Sequence, residues 1–237
     1  MKPAQPIEFT SLKFDRVSFG YDSHAPILND LTIDLPLNSG VFVTGQGGSG
    51  LSTLLKLIAV MLHPTEGKFF LNGHDTGDMT FEDFLPYRMQ IGYSFDIGGL
   101  FANRTIKENL TLPMLYHRRY TPDEAAAIAD GLAVEYGFAG QKDQRPAMVS
   151  GGLRKLTCVL RALILRPQML VLDDPFSGIG MDASRTLVRT IQQRRESGEL
   201  KHFFITSRDE LWPQWMGCHN LYIESGALRF EEKAVAS

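Results

Sequence analysis

The sequence predicts an α/β fold in which a parallel sheet carries a phosphate-binding loop and a helical segment is inserted between two of its motifs. Three observations predict it. A glycine-rich turn, "GQGGSGLST" from Gly45 to Thr53, separates an apolar strand-like run, "GVFVTG", from a run with helical spacing, "LSTLLKLIAVML". A continuous apolar run further on, "QMLVLDD", is of the kind that a parallel sheet buries on both faces. Between the two, from about Thr105 to Leu165, helical patterning dominates.

The elements run in this order. "LKFDRVSFGY", "LTIDLP" and "GVFVTG" read as strands, and the last runs straight into the glycine turn. The helix after the turn stops before His63-Pro64. Strands "GKFFLNG" and "QIGYSF" come next. Thr121-Pro122-Asp123-Glu124 supplies an N-cap Thr, a Pro at the first helical position and a Glu at N3, which start the helix "PDEAAAIADGLAVEYGF". "SGGLRKLTCVLRALILR" is a helix that opens at a Ser-Gly-Gly cap. A helix near "ASRTLVRTIQQRRES", a strand "HFFITS" and a closing hairpin near "NLYIESGALRF" complete the chain. There are no repeats and no low-complexity linker.

The bulk properties narrow the function. With 237 residues, 43% of them apolar, the chain can build one large domain with a sizeable core. A net charge of −3 gives no argument for a nucleic-acid binder, which is ordinarily basic. Cys158 and Cys218 fit no metal spacing and read as buried thiols of a reducing compartment. The six histidines show no metal spacing either. No apolar run approaches the roughly 18 residues that span a bilayer, and the N-terminus has no apolar secretory core, so a cytosolic chain is expected.

The chemistry begins at the glycine turn. It has the frame G-x-x-x-x-G-K-[ST] in every place but one, where the lysine that touches phosphates is Leu51. Asp173 ends "MLVLDDP", the place of a magnesium-holding carboxylate in a phosphate-loop nucleotidase. Between them, "VSGGLRK" opens a helix. The order is glycine loop, "IGYSFD", "SGG" helix, "LVLDDP".

That order resembles the ATP-binding subunits of ABC transporters, and the resemblance covers nearly the whole chain. It implies a P-loop nucleotidase fold as a single nucleotide-binding domain over residues 1–237, with a helical subdomain at 97–165. "SGG" is then the signature motif, "YSFD" ends the Q-loop, "FSGIG" holds the D-loop and "TSRD" the switch position. Tyr21 matches the aromatic that stacks on adenine. Within the family, "GGLFANRTIKENLTLPMLYH" and the apolar Leu153 after "SGG" look like the ATPases of lipid-trafficking transporters such as the maintenance-of-lipid-asymmetry system. Implied with the resemblance are ATP and Mg²⁺, a permease in the membrane and a second ATPase chain. That chain is either another ABC protein or a copy of this one. The implied location is peripheral, on the inner face of the cell membrane.

Roles carry over only where the residue is present. Gly45, Gly47, Gly48, Ser49 and Gly50 can present backbone N–H groups to phosphate at a helix N-terminus. Ser52 can hold Mg²⁺, Thr53 can bond the α-phosphate and Asp173 can fix the metal's water shell. Leu51 has no charge to offer. Losing one charge-assisted hydrogen bond of about 1.5–3 kcal/mol weakens binding roughly 10- to 150-fold. Lys56 lies on another side of the same helix and is no replacement. The general base, ordinarily Glu, is Asp174; the Q-loop Gln is Asp96; the D-loop Asp is Gly180, with Asp182 close behind. The switch His is Arg208, or Ser207 if the alignment shifts by one.

Ser150, Gly151 and Gly152 are intact. In ABC dimers each ATP lies between one chain's Walker loop and the other's signature. The expectation is therefore a chain whose own site hydrolyses ATP poorly and whose signature completes a partner's site. The rival is an inert nucleotide-sensing or structural homodimer, and a third reading is an active ATPase with substitute residues. Arg208 is expected to pair with Asp96 or Asp174, as a bidentate contact where the γ-phosphate is otherwise held. Arg194-Arg195-Glu196 reads as a solvated helix face, and Trp212 and Trp215 as packing residues in a loop.

Overall fold

A computed structural model describes residues 7–21, 26–224 and 227–232. A four-stranded antiparallel sheet, in the order β2-β1-β4-β5, is built from β1 (Leu12–Phe19), β2 (Leu28–Asp34), β4 (Glu66–Leu71) and β5 (His74–Asp75). A six-stranded sheet, in the order β10-β9-β3-β8-β7-β6, is built from β3 (Gly40–Gly45), β6 (Ile91–Ser94), β7 (Met169–Leu172), β8 (His202–Ile205), β9 (His219–Glu224) and β10 (Ala227–Glu231). All its neighbours are parallel except β10 against β9. Parallel pairing brings the C-terminal ends of β3, β6, β7 and β8 to one edge, where open α/β sheets bind their ligands.

The helices are α1 (Leu51–Ile58), α2 (Phe81–Arg88), α3 (Ile106–Tyr116), α4 (Pro122–Glu135), α5 (Gly151–Leu163), α6 (Met181–Glu196) and α7 (Leu211–Trp215). Thr80, Thr105 and Thr121 each cap a helix reciprocally with an acidic N3 residue. Ser150 caps α5, accepting the Leu153 N–H at 3.1 Å. Residues 97–165 hold α3, α4 and α5.

The large sheet separates two cores, and strand parity sorts its side chains between them. Phe42, Leu170, Leu172, Phe203 and Ile205 face a core shared with α3–α7. Val41, Val43, Met169, Val171 and Phe204 face a second core shared with α1 and the antiparallel sheet. Every residue of β7 is buried, as its unbroken apolar run predicts.

Four features differ from the expectation. Helix α2 has no counterpart in the sequence reading, because Pro86 interrupts its helical pattern. Trp212 and Trp215 lie in α7 rather than in a loop; Trp212 stacks on Phe176 at 5.0 Å. Arg194 and Arg195 are half-buried rather than solvated. Their guanidinium groups donate to the Leu163 carbonyl at 2.6 Å and to the Met216 carbonyl at 3.0 Å, satisfying acceptors that helix C-termini leave free. Leu153 is buried in the first core, so its apolar character has a packing cause.

Candidate nucleotide site

The glycine loop joins β3 to α1. Gly48 and Gly50 have φ of 82° and 91°, left-handed values that aim successive N–H groups into one concavity. A side chain at Gly50 would also meet Ile27 Cγ2 at 2.7 Å. Gly45, Gln46, Gly47 and Gly48 are exposed. The Ser49 hydroxyl is buried without a partner. These are the properties of an anion cradle at a helix N-terminus. The first turn of α1 departs from that pattern. Leu51 turns its side chain against the second core, so the position that would supply charge supplies packing. Ser52 stands beside it, half-buried, and Thr53 is buried. Lys56 does not stand in. Its ammonium reaches the exposed Tyr21, 3.5 Å from the hydroxyl and 5.9 Å from the ring centroid.

The other side chains converge at the ends of β6, β7 and β8. β8 lies between the glycine-loop strand and β7, so the segment after β8 stands between the loop and Asp173. Thr206 joins the two buried aspartates: its hydroxyl donates to Asp173 Oδ1 at 2.8 Å and accepts the Asp174 N–H at 3.0 Å. Asp174 sits at φ 45°, a left-handed conformation uncommon outside glycine, Asn and Asp.

Ser207 and Arg208, the two candidates for the switch position, point different ways. Ser207 is turned back on its own loop, donating to the Asp209 carbonyl at 2.8 Å and accepting the Asp209 N–H at 3.1 Å. Arg208 faces the carboxylates instead. Its Nε is 3.1 Å from Asp174 Oδ2, and one terminal nitrogen is 3.7 Å from Asp96 Oδ2. The pairing is present but differs from the expected fork. One nitrogen serves each carboxylate, and Asp174 Oδ2 accepts no well-aligned hydrogen bond. Burial pushes the Asp174 carboxyl above its ordinary range, opposed by the Arg208 N–H and assisted by the charge of Asp96.

One charge was not anticipated. Lys155 is almost fully buried, and its ammonium donates to Asp96 Oδ1 at 3.0 Å, the Phe95 carbonyl at 3.2 Å and the Asp173 carbonyl at 3.2 Å. A lysine at helix spacing among "LRKLTC" gives no hint of a partner 59 residues away. Tyr93 on β6 also gave no signal in the sequence. Its hydroxyl is buried without a partner, and burial raises its pKa, helped by the negative charge of Asp173.

The signature stands at the start of α5, with Ser150 and Gly151 exposed. A side chain on Gly152 would collide with the Gly178 carbonyl, so this glycine permits the signature and the "FSGIG" segment to touch. Asp182 lies in the first turn of α6, and Gly180 caps that helix without a side chain. Among the described residues no group of His, Cys, Asp and Glu is placed to hold a metal ion by itself. Oxygen ligands for Mg²⁺ would be Ser52 and Asp173, with nucleotide phosphates completing the set.

A phosphate-binding loop, an aspartate at the end of the strand one place removed, and a switch segment on the strand between them define a P-loop nucleotidase cassette. Similarity to known proteins makes the class more specific. A family profile described as "ABC transporter" matches residues 28–177. This chain belongs to that family. It is 31% identical over 207 residues to the sulfate/thiosulfate import ATP-binding protein CysA of Shigella flexneri, an alignment covering 86% of this chain and 54% of that one. It is 29% identical over 189 residues to a methionine import ATP-binding protein of Rhodococcus jostii, covering 79% and 56%. It thus spans about half the length of these curated relatives. A dimeric ATP-binding cassette solved in a post-hydrolysis state with ADP and Pi superposes with a TM-score of 0.83, at 21% identity, over 94% of this chain and all of that one.

Proposed function

We propose that this chain is the ATP-binding subunit of an ABC-type membrane transporter, and that it works by lending its signature to a partner chain. The observation that carries the reading is a contrast within one cleft. Leu51, half-buried, packs against the core and the largely exposed Arg208 is paired with Asp174 and Asp96, while Ser150 and Gly151 stand open at the start of a well-capped helix. The chain's own γ-phosphate position is thereby taken up by its own charges, and the part that serves a neighbour is free. The partner ATPase supplies the lysine and the general base for the working site.

The permease partner is supported by an apolar groove of about 570 Å³ between α2, α3 and α5, rimmed by Phe81, Phe101, Leu112 and Tyr116. Phe81 and Tyr116 are 73% and 77% exposed, which marks a surface that a partner covers. No described helix is long and apolar enough to cross a membrane, so in this reading the membrane span belongs to the partner. The proposed cargo is a lipid, on the resemblance of residues 98–117, which contribute to this groove. The relatives named above carry sulfate, thiosulfate and methionine import in their names.

The test is the composition of the complex purified from its native host, with its nucleotide content and co-purifying lipid. A second ABC chain with an intact Walker lysine, and nucleotide in proportion to that chain, is expected. A homodimer with no other ABC chain leaves the lent signature without a recipient and favours a structural or sensing module. Sulfate or methionine transport by the complex, without lipid, overturns the cargo.

A further inference from the structure

We propose that Lys155 is a positioning residue: with Cys158 and Arg161 it clamps the signature helix to the segment after β6, and so holds the signature in place without nucleotide in this chain's own site. This deepens the lent-signature reading.

The observation is a row of side chains on α5. Lys155, Cys158 and Arg161 recur at every third position and therefore share one side of the helix. Each bonds to the same short segment. Lys155 takes the Phe95 carbonyl and the Asp96 carboxylate. The Cys158 thiol donates to the Gly98 carbonyl at 3.0 Å. Arg161 donates to the Gly99 carbonyl and lies 5.9 Å from the Phe101 ring centroid. The segment 95–101 is thus gripped along its length by the helix that begins with Ser150.

Lys155 adds a third element. Its bond to the Asp173 carbonyl fixes α5 to the end of β7, and Asp96 passes the link to Arg208 and Asp174. Lys155, Asp96, Arg208 and Asp174 form a chain of alternating formal charge. A buried ammonium with one carboxylate and two carbonyls has all three donors used, which is the condition for a buried charge to be tolerated. Removing one end of such a network leaves the other charge stranded, so the clamp holds as a unit. A cleft that depended on Mg²⁺ and a γ-phosphate to join these elements would come apart without them. Here protein charges make the joint, and the signature helix keeps its place.

The experiment is amide hydrogen exchange on the full chain, free of nucleotide, comparing the native protein with Lys155→Met, Lys155→Arg and Asp96→Asn. In Lys155→Met, exchange should rise about ten-fold in both 154–160 and 95–101 while α6 is unchanged, because a local joint opens and the global fold does not. Lys155→Arg keeps the cation and should stay within about two-fold of the native chain. Asp96→Asn leaves both carbonyl bonds of Lys155 and should give a smaller rise, confined to 95–101; it also serves if Lys155→Met fails to fold. No rise in either segment, or a rise shared equally by α6 with no rescue by arginine, overturns the clamp. The measurement needs no partner chain, so its failure is separate from failure of the lent-signature reading.

Discussion

At the scale of single residues, Asp96, Asp174, Arg208 and Lys155 make one electrostatic system. Leu51 brings no charge to the glycine loop, and Asp96 carries a negative one. Arg208 and Lys155 carry two positive charges, both placed against carboxylates rather than toward the glycine loop. Asp174, the candidate general base, reaches one methylene less far than a glutamate and has a guanidinium nitrogen 3.1 Å from its Oδ2, which hinders its approach to an attacking water. The isolated chain should therefore turn over ATP well below about 1 s⁻¹, the low end of ordinary enzymes. A steady-state assay checks this, and a rate above that value abolished by Asp173→Asn contradicts it. Restoring the site should take more than one change. Leu51→Lys alone adds a charged hydrogen bond, a gain of roughly 10-fold or more in affinity at most sites. Here it competes with the resident ion pairs. Leu51→Lys with Asp96→Gln and Arg208→His should bind Mg-ATP more tightly than the single variant, while Lys155 keeps its bonds to the Phe95 and Asp173 carbonyls. Titration with a fluorescent ATP analogue ranks the variants. Full recovery in the single variant contradicts the competition.

At the scale of elements, a short-range signal was legible and a long-range one was not. The glycine loop, the Thr121 cap, the Ser150 cap and the doubly buried β7 are written in neighbouring residues. Leu51, Asp96 and Asp174 stood out in the sequence because each departs from the frame of the motif it resembles. Lys155 and Thr206 were not, because the groups that give them meaning lie 59 and 33 residues away. The first three strands also read alike, although β1 and β2 belong to the antiparallel sheet and β3 to the parallel one. Strand β8 opens with another residue of this hidden kind. His202 is fully buried, its Nδ1 accepts the Asn38 N–H at 2.8 Å, and its Nε2 has no partner. Phe9 packs edge-on at 5.9 Å. Burial lowers its pKa to about 4, with Lys201 adding to the effect and Glu8 opposing it. The folded state holds this imidazole neutral, whereas the unfolded chain takes a proton near pH 6.5. Its contribution is whole above pH 6.5 and is lost as pH falls from there toward 4. Between pH 7.5 and 5 the loss is about 2 kcal/mol. Urea unfolding at the two pH values should show this decrement in the native chain and not in His202→Leu. An equal decrement in both assigns the acid sensitivity elsewhere.

At the scale of the whole molecule, the large sheet sets the relation between the two halves of the site. Its parallel strands deliver the glycine loop, Asp96, Asp173 and Arg208 to one edge, and α5 brings the signature to the same neighbourhood through Lys155. In the proposed reading the loop and the signature of one chain serve different nucleotides, so a change in one half need not disable the other. Two variants separate the halves most directly: Ser150→Arg, which places a large cation at the start of α5, and Asp174→Asn, which neutralises the base beside Arg208. The measurement is the ATPase rate of the assembled complex. Ser150→Arg should reduce it by about 100-fold, the scale of a lost transition-state contact, whereas Asp174→Asn should leave it within about two-fold. A complex that tolerates Ser150→Arg and loses its activity with Asp174→Asn would contradict the account.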